Sequence, residues 1–353
     1  MIFQANCGTT AMGIMPHKDV DKALDLALGL DIPFWPQLPH VSLYEDMYIQ
    51  TSQNFPGIEI DFDKGRPAFH TVRFEEGLEN YFTKMELPET YALTQEYSKV
   101  FKRFLSKDLK GYKAIRGQIT GPVSFGFKVL DENFKPIIYN EEVKTILFDF
   151  IQKKVNFQYQ ELKKKNPNAF VWVDEPGLGY VFSGLSGYND QQAKKDYYDF
   201  IQGLEGPKGL HLCADVNLPY LLELGIEILS FDAFQIGFIP KEYAWSVAEF
   251  IKKGGVIAWG IVPTESAILS IQTPEGLASI LSNYWEVISE NTGMPLRQIA
   301  EQALITPARC CLKDVTMEAS EKCGISNVEE QNVEKAFAFL PEISHILKGK
   351  YKV

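Results

Sequence analysis

Gly209-Leu210-His211-Leu212-Cys213 is a short apolar run that ends on residues able to do chemistry, and the chain returns to this form repeatedly. Similar runs are Ala114-Ile115-Arg116-Gly117-Gln118-Ile119-Thr120, Phe170-Val171-Trp172-Val173-Asp174 and Ile226-Glu227-Ile228-Leu229-Ser230-Phe231-Asp232. Gly255-Val256-Ile257-Ala258-Trp259-Gly260 and Ala303-Leu304-Ile305-Thr306 complete the set. Between them lie stretches with apolar residues at helical spacing, at residues 141–165, 190–204, 240–253 and 273–291. The first of these ends on lysines before Asn166-Pro167, a reasonable helix stop. Near-continuous β-rich runs alternating with helices predict a parallel sheet covered on both faces. With about eight such units in one chain, the fold class is α/β and the architecture a single-domain (β/α)8 barrel.

One region breaks the rhythm. Ile58-Glu59-Ile60-Asp61-Phe62, a turn at Asp63-Lys64-Gly65, and the stretch 68–72 read as a β-hairpin. It belongs to an insertion at about residues 41–110 that packs on the barrel.

The 353-residue chain is 45% hydrophobic and 23% charged, with a net charge of -11, which fits a globular protein with a sizeable core. Nothing in it forms the basic face that phosphate binding needs, so nucleic acid is excluded as a partner. No apolar run approaches the ~20 residues of a membrane span, and the first residues lack the pattern of a secretory signal. Five cysteines without such a signal read as reduced thiols of a cytoplasmic protein.

Residues two apart on a strand point the same way, so His211 and Cys213 at a strand end aim an imidazole and a thiol at one point. Zinc accepts that mixture of nitrogen and sulfur. A core histidine beside a buried cysteine is the alternative for the pair alone. Asp232 ends the next run, and Cys310-Cys311 follows the last one, which would set all of them on the C-terminal face where active sites of this fold lie. Asp232 has a second reading as a helix N-cap. Cys311 could be a small hydrophobe, the reading preferred for Cys7 and Cys323.

The ordered set Phe34-Trp35-Pro36-Gln37-Leu38-Pro39, Gly117-Gln118-Ile119-Thr120-Gly121-Pro122, Asp174-Glu175-Pro176, His211-Leu212-Cys213, Trp259-Gly260-Ile261-Val262-Pro263-Thr264 and Ile305-Thr306-Pro307 resembles the catalytic half of cobalamin-independent methionine synthase. The likeness is to short members of that family, within the superfamily that includes uroporphyrinogen decarboxylase, and runs from about Gly13 to Leu312. It implies a barrel that binds zinc through His211, Cys213 and Cys310, with Asp232 at the acidic position and Cys311 as an alternative last ligand. It also implies a substrate site drawing on Asp174, Glu175, Gln37, Gln118, Ile14 and Thr264, with Asp174 against the amino group of homocysteine.

The reaction so implied is methyl transfer to a small thiol, from a methylcobamide or from methyltetrahydrofolate. Zinc would lower the thiol's pKa so that a thiolate exists at neutral pH. The chain has no D-x-H-x-x-G corrinoid motif, so a corrinoid would arrive free or on a partner protein. Two departures touch the thiol. Ala11-Met12-Gly13-Ile14-Met15-Pro16-His17 carries Ile14 where the family has serine, and Thr264-Glu265 stands where a histidine is usual. Two other readings follow: a barrel that binds zinc or a ligand without catalysis, and a decarboxylase of the porphyrin type. The latter uses early arginines, and no arginine precedes Arg66 here.

Overall fold

The computed structural model of the protein describes residues 3–182, 184, 186–213, 217–310 and 328–353. Among the described residues the strands are β1 (Gly8–Thr9), β2 (Ile58–Asp61), β3 (Arg66–Phe69), β4 (Ile115–Thr120), β5 (Ala169–Asp174), β6 (Lys208–Leu212), β7 (Ile228–Phe231), β8 (Val256–Val262) and β9 (Ala303–Pro307). Seven of them form one sheet in the order β1-β9-β8-β7-β6-β5-β4, with every neighbouring pair parallel. Each strand from β4 to β8 pairs with the next in the chain, so the connections all advance in one direction along a curled sheet. The other two strands form an antiparallel hairpin in which Ile58 faces Phe69 and Asp61 faces Arg66.

The apolar runs form strands because both faces of the sheet are covered. On the outer face, Leu210, Leu212, Leu229, Phe231, Ile257 and Trp259 join the main core beneath the helices. The concave face holds a smaller cluster in which Trp172, Phe170, Ile228, Ala258 and Leu304 take part. Helices start where the sequence supplies caps. Asn140 accepts from the backbone of Glu142 and Val143 to start Glu141–Lys163, Asn189 starts Asp190–Gln202, and Thr273 starts Pro274–Thr292. The last of these ends on Gly293 at φ 72°, a left-handed position that suits glycine.

The expected eight-stranded closed barrel is met in part. The parallel sheet has seven strands, and no regular eighth strand stands between β1 and β4 among the described residues. The segment 32–37 lies there instead. Its Ile32 N–H donates to the Thr9 carbonyl at 3.0 Å, and its Pro33 carbonyl accepts from Arg116 N–H at 3.0 Å. Phe34 bridges Arg116, and Gln37 bridges Ile14. Pro33 and Pro36 lack the N–H groups a regular strand would use, which accounts for isolated bridges in place of a ladder.

The final helix, Val328–Tyr351, packs against β1 and β9. Ser344 Oγ donates to the Cys7 carbonyl at 2.6 Å, and Asn332 hydrogen-bonds to the Thr264 carbonyl, so the helix spans both ends of the sheet. No helix among the described residues is long and apolar enough to cross a membrane.

Candidate functional site

The C-terminal ends of β4 to β7 carry the polar side chains in register. Thr120 pairs with Asp174, Asp174 with His211, and His211 with Ser230. His211 is 4% exposed; its Nδ1 lies 3.0 Å from Ser230 Oγ, and its ring stacks on Trp172 with centroids 6.0 Å apart. Burial, with the nearby Arg116 cation adding to it, brings the imidazole pKa down to about 3, so the ring is neutral. When Nδ1 donates to Ser230, the Nε2 lone pair is left for a ligand.

Cys213 sits one residue past β6 and is half-buried. Burial raises its thiol to about 12, with Cys310, Asp174 and Asp232 adding and Arg309 opposing. Cys310 follows β9, three strands away from β6 in the sheet order, at the same C-terminal end of the sheet as Cys213. Cys311, the alternative last ligand, and Cys323 lie outside the described residues.

Asp232 is 2% exposed and already engaged. Its Oδ1 accepts from Gln235 N–H at 2.9 Å, capping the helix Ala233–Ile236, and its Oδ2 accepts from Arg309 Nε at 2.8 Å. Burial raises its pKa and Arg309 pulls it back. A role as a metal ligand would require giving up that ion pair.

Glu175 is fully buried and serves the fold. Its Oε1 accepts from Val123 N–H at 3.1 Å, and its Oε2 accepts from Ser124 N–H at 2.7 Å and Ser124 Oγ at 2.6 Å. These bonds hold the first turn of the helix Pro122–Lys128, where a carboxylate also suits the helix dipole. Gly121 is required there, because a Cβ would fall on the Glu175 carboxylate. Asp174 is the freer of the two carboxyls, half-buried at the end of β5. Burial lifts both to about 7; Arg116 opposes the rise at Asp174, and the Ser124 and Val123 donors oppose it at Glu175.

The remaining expected substrate residues are spread more widely. Gln118 is buried on β4; its Nε2 donates to the Trp35 carbonyl at 2.8 Å and its Oε1 accepts from Arg116 Nη1 at 3.0 Å. Gln37 is buried and donates to Gln50 Oε1 at 2.7 Å, and Gln50 donates on to Glu45 at 2.9 Å. Gln37 Oε1 is buried with no hydrogen-bond partner among the described residues. Ile14 is 8% exposed, and Thr264 is 7% exposed beside the final helix.

Arg116 is the residue the sequence reading passed over. It is fully buried on the concave face, with its guanidinium 4.0 Å from the Trp172 ring and 4.7 Å from Phe34. Nε donates to Thr10 Oγ1 at 3.2 Å, and burial brings its pKa down to about 9. Its signal was present: a cation two residues before Gln118 and four before Thr120 in an otherwise apolar run marks a polar inner face.

Among the described residues, one group of ligand atoms lies within 4.8 Å of one another, and it comprises His17, Glu330 and Glu334. His211, Cys213, Asp232 and Cys310 share one end of the sheet but are not drawn together to that spacing. A search of family models gives no match to the chain, and no curated protein matches it.

Proposed function

We propose that the protein is a (β/α)8 barrel, with segment 32–37 in the eighth position, that transfers a methyl group to a small thiol. The observation that carries this reading is the position of His211, Cys213 and Cys310 at the same end of the curled sheet, with His211 Nδ1 held against Ser230. One nitrogen and two sulfurs suit zinc better than any hard cation. His211, Cys213 and Cys310 would hold it; Asp232, paired to Arg309, does not fit as a ligand in this arrangement. Bound there, zinc supplies an acidified thiol at neutral pH.

The chain's own residues would do the rest. Ser230 orients the His211 ring through Nδ1, and Trp172 packs on its face and shields it from water. Asp174 offers a carboxylate at the neighbouring strand end, where it could take an ammonium group of an amino-acid thiol. Arg116 beneath it favours the ionised carboxylate. Ile14 brings no side-chain donor for a substrate carboxylate, so the thiol need not be homocysteine.

The test is turnover. Purified protein with zinc is offered a panel of small thiols and either methylcobalamin or methyltetrahydrofolate, and the thioether is measured by mass spectrometry. Catalytic thioether formation that disappears in Cys213→Ser is the expected result. Absence of turnover with every thiol and both donor classes would leave a non-catalytic barrel, the reading favoured by the commitment of Asp232 and Glu175 to helix caps.

A further inference from the structure

His17 lies eight residues past β1 and is 0% exposed, and neither of its ring nitrogens has a hydrogen-bond partner among the described residues. A buried imidazole with both nitrogens unmet bears an uncompensated desolvation cost, so this arrangement calls for an occupant. Across from it stand Glu330 and Glu334, four apart on the first turns of the helix Val328–Tyr351 and therefore on one face. Two carboxylates at that spacing repel each other unless a cation lies between them.

The present cation is Lys22, whose Nζ is 2.6 Å from Glu334 and 3.4 Å from Glu330. Its side chain is 46% exposed, so it can swing into water and yield the site. Lys18 N–H donates to Glu330 Oε1 at 3.1 Å and helps to fix that carboxylate. Lys22 answers the carboxylates but does nothing for His17, because an ammonium has no lone pair for an imidazole N–H, and neither ring nitrogen accepts a hydrogen bond from the described residues.

We propose that His17, Glu330 and Glu334 form a binding site for a divalent first-row transition ion, separate from the cysteine cluster. Their ligand atoms already lie within 4.8 Å of one another. One nitrogen with two carboxylate oxygens is a donor set for Zn2+, Co2+ or Mn2+, and the imidazole disfavours Ca2+ and Mg2+. Burial lowers the pKa of His17, with Glu330 opposing, which keeps the ring in the neutral form a metal needs. The ion would bind the loop after β1 to the last helix and cross-link residues more than 300 positions apart in sequence.

Cobalt titration of the metal-stripped full-length chain tests this. Co2+ bound to nitrogen and oxygen gives weak visible bands, whereas Co2+ on thiolate adds an intense near-ultraviolet charge-transfer band, so the two sites are read separately. The expected result is an equivalent of Co2+ that survives in Cys213→Ser/Cys310→Ser without the sulfur band. It disappears in Glu330→Gln/Glu334→Gln, isosteric exchanges at half-buried positions that keep the packing of the core. His17→Gln should lose it too, and if that variant does not fold the glutamate pair decides. Absence of Co2+ from the cysteine double variant, or undiminished uptake by the glutamate double variant, overturns the proposal. Methyl transfer is read by thioether formation, so either idea can fail without the other.

Discussion

Asp232 Oδ2 and Arg309 Nε, 2.8 Å apart, tie the end of β7 to the segment that follows β9. The carboxylate is 3% exposed and the guanidinium 31%, so the pair is neither a surface contact nor a fully buried one. Removing Arg309 would leave a desolvated carboxylate held by backbone amides alone, those of Gln235 and Phe234 among the described residues. Arg309→Gln is expected to lower the free energy of unfolding by about 1–3 kcal/mol, measured by urea denaturation. The same variant releases Asp232 toward the cysteines, so its zinc affinity, followed by competition with a chromophoric chelator, should rise relative to wild type.

Glu175 predicts a different outcome. Its carboxylate accepts three hydrogen bonds at a helix N-terminus. Glu175→Gln keeps the shape but replaces one accepting oxygen with a donor that faces donors. The expected loss is about 1–2 kcal/mol in urea denaturation, at the level of a helix cap. A variant as stable as wild type would deny the capping role.

Asp174 and His211 push the pH dependence in opposite directions. The Asp174 carboxyl is raised to about 7 in the folded protein by burial. Its contribution to stability is therefore fully present below the unfolded carboxylate range, near pH 4, and is lost as pH rises through about 7. His211 is lowered to about 3, so the folded protein resists a proton that the unfolded chain accepts. Stability from His211 is present above about pH 6.5 and falls as pH drops toward 3. Comparing urea denaturation of metal-free wild type and Asp174→Asn from pH 4.5 to 8 isolates the first effect. The variant's advantage should grow with pH and level off above about 7.

The Cys213 thiol offers a chemical readout. With its pKa pushed to about 12, the metal-free protein carries almost no Cys213 thiolate at neutral pH. Iodoacetamide should modify it at least about a hundredfold more slowly than free cysteine at pH 7.5, as followed by peptide mass spectrometry. Labelling at the rate of free cysteine would show that the thiol is not desolvated as the structure has it.

Much of this architecture was legible from apolar runs. The six quoted runs correspond to β4 through β9, and the helix at residues 141–165 forms over Glu141–Lys163. These segments are long and buried, and their caps are local. What escaped was short or nonlocal. β1 is two residues long, too brief for any period, and the 32–37 segment carries prolines that disguise its place beside the sheet. At the site, the reading of Asp232 as an N-cap agrees with its bond to Gln235, because that signal is three residues away. Its Arg309 partner is 77 positions distant and gives no sequence signal. His17 stood in a quoted motif, but its approach to Glu330 and Glu334 depends on where the last helix docks.

Segment 32–37 has a further consequence for how the molecule behaves in company. The outer strands of an open parallel sheet present backbone amides that can template pairing with another chain. Here the Thr9 carbonyl on one margin and the Arg116 amide on the other are both taken by the same short stretch. That stretch acts as a gasket: it withholds the sheet's margins from intermolecular pairing. Damage to it would surface first as aggregation during expression, before any loss of chemistry at the far ends of the strands.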